Sequence, residues 1–312
     1  MQARFFDQQR SGSKVKSSLL VPYFAHWARI VLPVAVKAGG TFCYADFSSG
    51  PGRHEDGTDA SPLQVLQLAA QAFPLGEHFT GLFSDREQKN RIRLKKELAA
   101  LSIGEGGLPH APRVEPMATA EEVLAQLEAL VQTPALVALE PWGYKGLRLD
   151  TLAARLFESG PDCLFSFQPA PVLAAVVNPF QAKNVDAFFG KEEADKLRAG
   201  AELLNTAQRE ELALNTFLRC LKQAKRYHFL IYQQGADANG HAGRFFVFAT
   251  RNLQRYHFME TIMQGCGRPA APEPSSRPAR AGKRARPVQP TLFDRQRRRQ
   301  RPESALFAPA FV

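Results

Sequence analysis

Residues 41–52 read TFCYADFSSGPG, and this stretch decides the fold. An apolar run, 41–45, ends in an acidic residue, Asp46, and a tight glycine turn follows. A helix-compatible segment, 61–73, comes next, headed by Ser61-Pro62, where proline suits a first turn. Strand, acid, glycine loop and helix in that order form the entry of a doubly wound α/β domain, whose first crossover binds a nucleoside-type ligand. Glycine matters there because a ligand can approach the backbone only where no Cβ intrudes. A second acid, Asp85, closes the next strand candidate, 79–84, and adds weight to the pattern.

Upstream, 14–36 reads as a helical lead-in, with Leu19, Leu20, Phe24, Trp27, Ile30 and Val31 at mixed three and four spacing; Pro22 and Pro33 are expected to interrupt or end it. Downstream come a basic-faced helix at 88–101, a loop at 104–112 and a short strand at 113–116. Thr119 with Glu121 and Glu122 starts a helix running to about Gln132, since acids in a first turn suit the helix dipole. A buried strand at 135–139 ends at Glu140, a helix spans 149–158, and a strand spans 163–167. The alternation then breaks. Helices at 185–203 and 206–224 are followed by strands at 228–233 and 244–250, joined by QGADANGHAG with the glycines and Asn of a hairpin loop. Five βα units closed by an antiparallel hairpin resemble the class I methyltransferase sheet, a Rossmann-like α/β arrangement, mostly parallel, with the last hairpin antiparallel. The expected organisation is a helical lead-in at 1–40, the α/β domain at 41–266 with a helical insertion at about 170–225, and a basic tail at 267–312.

The formal charge of +10 is concentrated in that tail. Residues 267–312 hold 11 Lys and Arg against 3 Asp and Glu, leaving 29 against 27 elsewhere. The tail also carries 8 of the 22 prolines, a composition that cannot bury enough apolar surface to offset its ordering entropy. The four cysteines, Cys43, Cys163, Cys220 and Cys266, lie far apart without zinc-ligand spacing. No apolar stretch is expected to reach the roughly 20 residues of a membrane span, and the N-terminus lacks an apolar signal core. A reduced, cytoplasmic, metal-free protein without membrane attachment is the expectation.

Three segments can carry chemistry. In a sheet of this class the glycine loop passes under the amino-acid end of S-adenosylmethionine, whose carboxylate suits backbone N–H groups and a helix N-terminus. The acid after the second strand accepts ribose hydroxyls. Asp46, Ser49, Gly50, Gly52 and Asp85 are therefore the cofactor-binding candidates; a plain turn with Asp85 capping a helix is the alternative. Second, EPWGYKG at 140–146 follows the fourth strand at the ligand-binding edge. A carboxylate and an aromatic ring there can hold a planar amine, which makes Glu140, Trp142, Tyr144 and Lys145 the candidate catalytic residues; a strand-terminal turn with Trp142 packed on the core is the alternative. Third, the mixed charges of 53–58 either line the cofactor mouth or form a solvated turn. His228, His241 and His257 have no useful partner spacing, and Tyr227, Tyr232 and Tyr256 are expected to pack around the final hairpin.

With these residues assembled, the chain resembles the three-Cys-motif partner protein family across roughly residues 5–263. The resemblance rests on Asp46 with Gly50-Pro51-Gly52-Arg53, on Glu55-Asp56-Gly57 and on Ser61-Pro62-Leu63. It continues at Pro141-Trp142-Gly143-Tyr144-Lys145-Gly146-Leu147, at Phe188-Phe189-Gly190 and at Phe248-Ala249-Thr250-Arg251-Asn252. It departs from the family pattern at Ser48, where an aromatic is usual, and at Glu140, where Asp is usual. The second-strand acid appears as Ser84-Asp85, with Glu87 competing. The resemblance implies a bacterial protein with a methyltransferase-like core and a partner carrying the three-Cys motif. The function expected is S-adenosylmethionine-dependent methyl transfer, with nucleic acid as substrate class and a mobile-element or defence operon as setting. The rival is a non-catalytic module of the same fold that binds a partner protein or nucleic acid.

The tail carries two motifs. Lys283, Arg284 and Arg286, with Arg295, Arg297, Arg298, Arg299 and Arg301, form a basic cluster that phosphate backbones attract by counterion release. A solvated tail that keeps the chain soluble is the alternative. Gln289, Leu292 and Phe293 sit in QPTLF, which resembles the short peptides that dock on the bacterial sliding clamp by presenting apolar anchors to a groove.

Overall fold

The N-terminal helix α1 (Gln2–Lys37) carries an apolar stripe at Leu19, Leu20, Tyr23, Phe24, Trp27, Ala28, Val31 and Ala35, all buried. This three and four spacing places one face of the helix on the sheet. The computed structural model describes residues 2–266 apart from 55, 73–74, 102–107, 118, 223–226 and 237–241. The basic cluster and the QPTLF motif of the tail lie outside the described residues, as do Glu55 and His241.

Against expectation, Pro22 and Pro33 sit inside α1 without ending it. A helix-interior proline leaves the carbonyl four residues back without its N–H. For Pro22 that carbonyl belongs to Ser18, which the Cys266 thiol approaches at 3.8 Å. The segment from Gly12 to Lys37 is also long and apolar enough to cross a membrane, correcting the expectation that no stretch reaches that length. Its apolar face is instead buried in the protein.

The chain continues through β1 (Phe42–Asp46), α2 (Ser61–Gln71), β2 (Phe79–Phe83), α3 (Gln88–Ala100), β3 (Arg113–Val114), α4 (Ala120–Ala129), β4 (Ala135–Leu139), α5 (Leu149–Ser159) and β5 (Asp162–Phe167). Thr119 and Glu122 form a capping box that starts α4. The insertion consists of α6 (Pro169–Val176), a 3-10 turn (Pro179–Gln181), α7 (Ala182–Phe189), α8 (Lys191–Leu203) and α9 (Thr206–Leu221). One helix expected at 185–203 is two, broken at Gly190 with φ of +83°. The chain closes with β6 (His228–Ala236), β7 (Ala242–Thr250) and α10 (Leu253–Cys266), a helix the periodicity did not indicate.

The seven strands form one sheet in the order β3-β2-β1-β4-β5-β7-β6. β1 to β5 run parallel, and β7 is antiparallel to both β5 and β6. This is the Rossmann-like methyltransferase order. Strands β1, β4 and β5 are buried along their whole length, as a sheet covered on both faces requires. On one face α1, α2 and α10 pack over Tyr44, Phe79, Phe246 and Phe248. On the other, Phe217 of α9 stacks on Phe167 at 4.6 Å between ring centroids. At the amino end of β5, buried Asp162 accepts from Tyr23 Oη at 2.6 Å, Thr250 Oγ1 at 2.5 Å and Arg255 Nη1 at 2.9 Å, joining α1, β5, β7 and α10.

Candidate site at the carboxyl edge of the sheet

The carboxyl ends of β1, β2 and β4 lie side by side, since Asp46 is in register with Phe83 on one side and Ala138 on the other. The loop after β1 starts from Asp46, which is fully buried. Its Oδ1 accepts from Lys16 Nζ at 2.7 Å and the Ser48 N–H at 3.0 Å, and its Oδ2 from Tyr44 Oη at 3.0 Å and Ser61 Oγ at 3.4 Å. A carboxylate has about four acceptor positions, so the carboxylate is saturated and holds the loop from beneath. Burial, with the Asp46 carboxylate beside it, pushes the Tyr44 phenol well above its ordinary range. Lys16 reaches on to the Ser48 carbonyl at 2.8 Å and to Ser48 Oγ at 3.2 Å, engaging all three of its donors.

Ser49 ties the loop to the end of β2, with its N–H 2.9 Å and its Oγ 2.8 Å from the Ser84 carbonyl. Gly50 has φ of +67°, and the space a Cβ would take is open. Its N–H donates to Asp85 Oδ2 at 2.9 Å. Gly52, at φ of +88°, lies so close to α3 that a Cβ would come within 2.9 Å of Leu94 Cδ1. Asp85 also accepts from the Glu87 N–H at 2.9 Å and Asn90 Nδ2 at 3.0 Å, both at Oδ1. Three bonds leave one acceptor position, on Oδ2. The charged turn that follows is fastened on both sides: Arg53 pairs with Asp59 and with Glu97 of α3, and Lys14 of α1 pairs with Asp56.

The segment after β4 crosses the same edge. Glu140 Oε1 accepts from Gln168 Nε2 at 2.9 Å, and its Oε2 is 3.5 Å from Arg244 Nη1, which donates to Ser166 Oγ at 2.7 Å. Trp142, half-buried, meets Phe188 of α7 edge to face at 5.0 Å, so the indole packs on the helical insertion. Tyr144 is buried and donates to the Phe47 carbonyl, bridging the β4 and β1 loops. Burial and the nearby Asp85 carboxylate raise its phenol above the ordinary range. The exposed Lys145 pairs through its backbone with Thr119 at the head of α4. Gly143, at φ of +117°, leaves room for the Arg86 guanidinium; a Cβ there would lie 1.8 Å from Nη1.

The structure thus brings Gly50 and Asp85 together and ties Tyr144 to the same loop at the Phe47 carbonyl. It assigns Asp46 to Lys16 and Glu140 to Arg244. Sequence reasoning missed Lys16, Arg86, Arg244 and Gln168. Lys16 had a signal: it stands three and four residues before Leu19 and Leu20, on the face that α1 buries.

The strand order and the glycine-flanked carboxyl edge define a Rossmann-like fold of the methyltransferase type. No family model matches the chain, and no curated protein matches it. Solved structures match it at low identity. A protein from Legionella pneumophila str. Philadelphia 1, of the family model DUF519, is 8% identical and covers 79% of this chain and 91% of that one, with a TM-score of 0.42. The methyltransferase domain of a bacterial Hen1 is 14% identical over 72% and 96%, with a TM-score of 0.34. Trm1 from Pyrococcus horikoshii, in complex with S-adenosyl-L-methionine, is 12% identical over 77% and 58%, with a TM-score of 0.37. At these scores the likeness carries no argument, and the fold assignment stands on the chain's own strand order.

Proposed function

We propose that this chain is an S-adenosylmethionine-dependent methyltransferase whose substrate class is nucleic acid, and that it belongs with the three-Cys-motif partner proteins. The observation that supports this most is the pairing of Gly50 and Asp85 at the carboxyl edge. Gly50 offers an open backbone face, and Asp85 retains an acceptor position beside it. A ribose hydroxyl suits that position, and the amino-acid end of the cofactor suits the loop of residues 49–52. When bound, S-adenosylmethionine supplies an electrophilic methyl group. Around it this chain would act by positioning: Lys16 and Asp46 hold the loop, Tyr144 fastens it at the Phe47 carbonyl, and the segment from Trp142 to Lys145 would face the acceptor.

The test is calorimetric titration with S-adenosylhomocysteine. Loss of charge-assisted hydrogen bonds worth about 1.5–3 kcal/mol each predicts at least tenfold weaker binding by Asp85→Ala. Gly50→Val, which fills the open face, should abolish binding. Unchanged affinity in either folded variant would move the site elsewhere.

A second reading, a non-catalytic module that binds nucleic acid or a partner protein, is favoured by the engagement of Glu140 with Arg244 and Gln168. A carboxylate committed to an arginine is a poor receiver for a substrate amine. Absence of S-adenosylhomocysteine binding by the wild type would select this reading. Contact of the basic tail cluster with phosphates, docking of QPTLF on a sliding clamp and a partner carrying the three-Cys motif belong to the same proposal. Deleting residues 267–312 should weaken nucleic-acid binding most at low salt.

A further inference from the structure

We infer that the solvent face of α3, with Arg86 at its head, is a track for the phosphate backbone of a nucleic acid, leading to the carboxyl edge of the sheet; this rests on the proposal that nucleic acid is the substrate. Residues 86–96 hold six Lys and Arg against one acid, Glu87. The rest of residues 1–266 holds 23 against 26, so outside the tail the excess of positive charge lies in this one segment.

Helical geometry sorts these cations. Leu94 is buried, and Arg91 and Leu98 are partly so, which sets that side of α3 against the protein. Lys89, Arg93 and Lys96, spaced by four and three residues, line the opposite side, and all three are exposed. At 1.5 Å per residue they span about 10 Å. The arrangement works against the helix itself. Its first turn holds Lys89 and Arg91 without an acid, and its last turn holds no base, whereas the dipole favours the reverse. The stripe therefore does not serve the stability of α3.

Little in the protein neutralises it. Lys89 meets Glu87 at 3.4 Å and Arg93 meets Glu97 at 3.9 Å, exposed contacts that stabilise little. Glu97 is already held by Arg53 at 2.7 Å, and Lys96 has no acidic partner among the described residues. Arg86 carries the stripe to the edge of the sheet. It is exposed, and its guanidinium lies in the notch that Gly143 leaves after β4, with no carboxylate bonded to it among the described residues. A backbone laid along α3 thus arrives between Asp85 and the β4 loop. Phosphodiesters bind a row of cations by counterion release, with no base contact required. The apolar side of α3 is committed to the protein, so the stripe is not the polar face of a helix lying in a membrane.

Full-length protein is titrated with a labelled DNA duplex of about 20 base pairs, and with one of its single strands, over a series of salt concentrations. Lys89→Gln/Arg93→Gln/Lys96→Gln should make the slope of log affinity against log salt shallower by about two to three on either probe. Arg86→Gln alone should change it by about one. The control Arg29→Gln/Lys37→Gln/Lys222→Gln removes the same charge from exposed positions on α1 and after α9, and should change it by less than about half a unit. The tail is present in every sample, so its contribution is common to all, and melting temperature checks that the variants fold. A change below about one unit in the α3 variant, or an equal change in the control, overturns the inference. Equal, α3-dependent affinity for polyglutamate of the same charge would assign the face to an acidic protein and overturn it too. Absence of DNA binding by the wild type overturns both the track and the substrate class. S-adenosylhomocysteine is titrated into the same samples. Cofactor binding with slopes that ignore α3 overturns the track alone, whereas α3-dependent DNA binding without cofactor binding overturns methyl transfer and leaves the track standing.

Discussion

Replacing Lys16 by Met isolates the contact on which the glycine loop depends. The Lys16 side chain is 9% exposed and that of Asp46 is fully buried, with 2.7 Å between Nζ and Oδ1. Met keeps the length and apolar stem of lysine, so packing changes little. Three charge-assisted bonds disappear, and the Asp46 carboxylate keeps only the Ser48 N–H, Tyr44 Oη and Ser61 Oγ, all neutral donors. Leaving one partner of a buried pair uncompensated costs about 3–5 kcal/mol. Urea unfolding of Lys16→Met should show a loss in that range at unchanged slope. Asp46→Asn alone should also destabilise, by stranding the ammonium. The double variant should be less destabilised than the sum of the singles by at least ~1 kcal/mol, the coupling expected of residues in direct contact. A loss below about 1 kcal/mol in Lys16→Met, or singles that simply add, would refute the reasoning that this pair anchors the loop.

Three further outcomes can be checked. Gly143→Ala puts a side chain at φ of +117° and against Arg86, so it should lose about 1–3 kcal/mol; Arg86→Ala in the same chain should recover only the steric part, and full recovery would argue against backbone strain. Tyr23→Phe removes the hydroxyl that donates to buried Asp162 and should lower stability by about 1.5–3 kcal/mol in urea melts, whereas an unchanged midpoint would mean that the junction of α1 with β5 does not depend on it. Hydrogen bonds from Lys14, Arg148 and Lys191 hold the carboxyls of Asp56, Asp150 and Asp195 below their ordinary range. These carboxyls take up protons in the unfolded chain first, so their stabilisation is complete above the ordinary carboxyl range and is lost as pH falls through the lowered values; the melting temperature should drop below about pH 4, and a flat profile from there to pH 3 would contradict the sign.

Strands β1, β2, β4 and β5 were legible because each is a short apolar run closed by an acid or a turn; β3, expected at 113–116, is only Arg113–Val114. Ala135–Leu139 matches the expected range to the residue, Phe79–Phe83 and Asp162–Phe167 differ by one residue at an end, and Phe42–Asp46 is shifted by one residue at both ends. Proline misled in α1, where burial of Tyr23, Phe24 and Trp27 outweighs the missing N–H groups that local rules emphasise. Helix α10 escaped notice because few of its side chains are buried, Met259 and Met263 among them, so its apolar periodicity is weak. At the edge of the sheet, Gly50 and Asp85 were legible from their positions after two neighbouring strands. The partners of Asp46 and Glu140 were not: Lys16 comes from 30 residues upstream and Arg244 from 104 residues downstream, and spacing does not encode such pairings.

Helix α1 is synthesised before the elements that complete its burial. Its stripe from Leu19 to Ala35 shares a core with Phe246 and Phe248 of β7 and Met259 and Met263 of α10, and the Cys266 thiol that approaches the Ser18 carbonyl is 248 residues away in the chain. At about 5–20 residues per second, an interval on the order of 10–50 s separates synthesis of the stripe from synthesis of the residues that cover it. During that interval the nascent chain presents a helix apolar enough to enter a lipid bilayer, with two prolines already in place. The core around α1 is therefore complete only once this long loop has closed. Chains cut before α10 should behave as apolar, aggregation-prone fragments even though the glycine loop and its acids are all present.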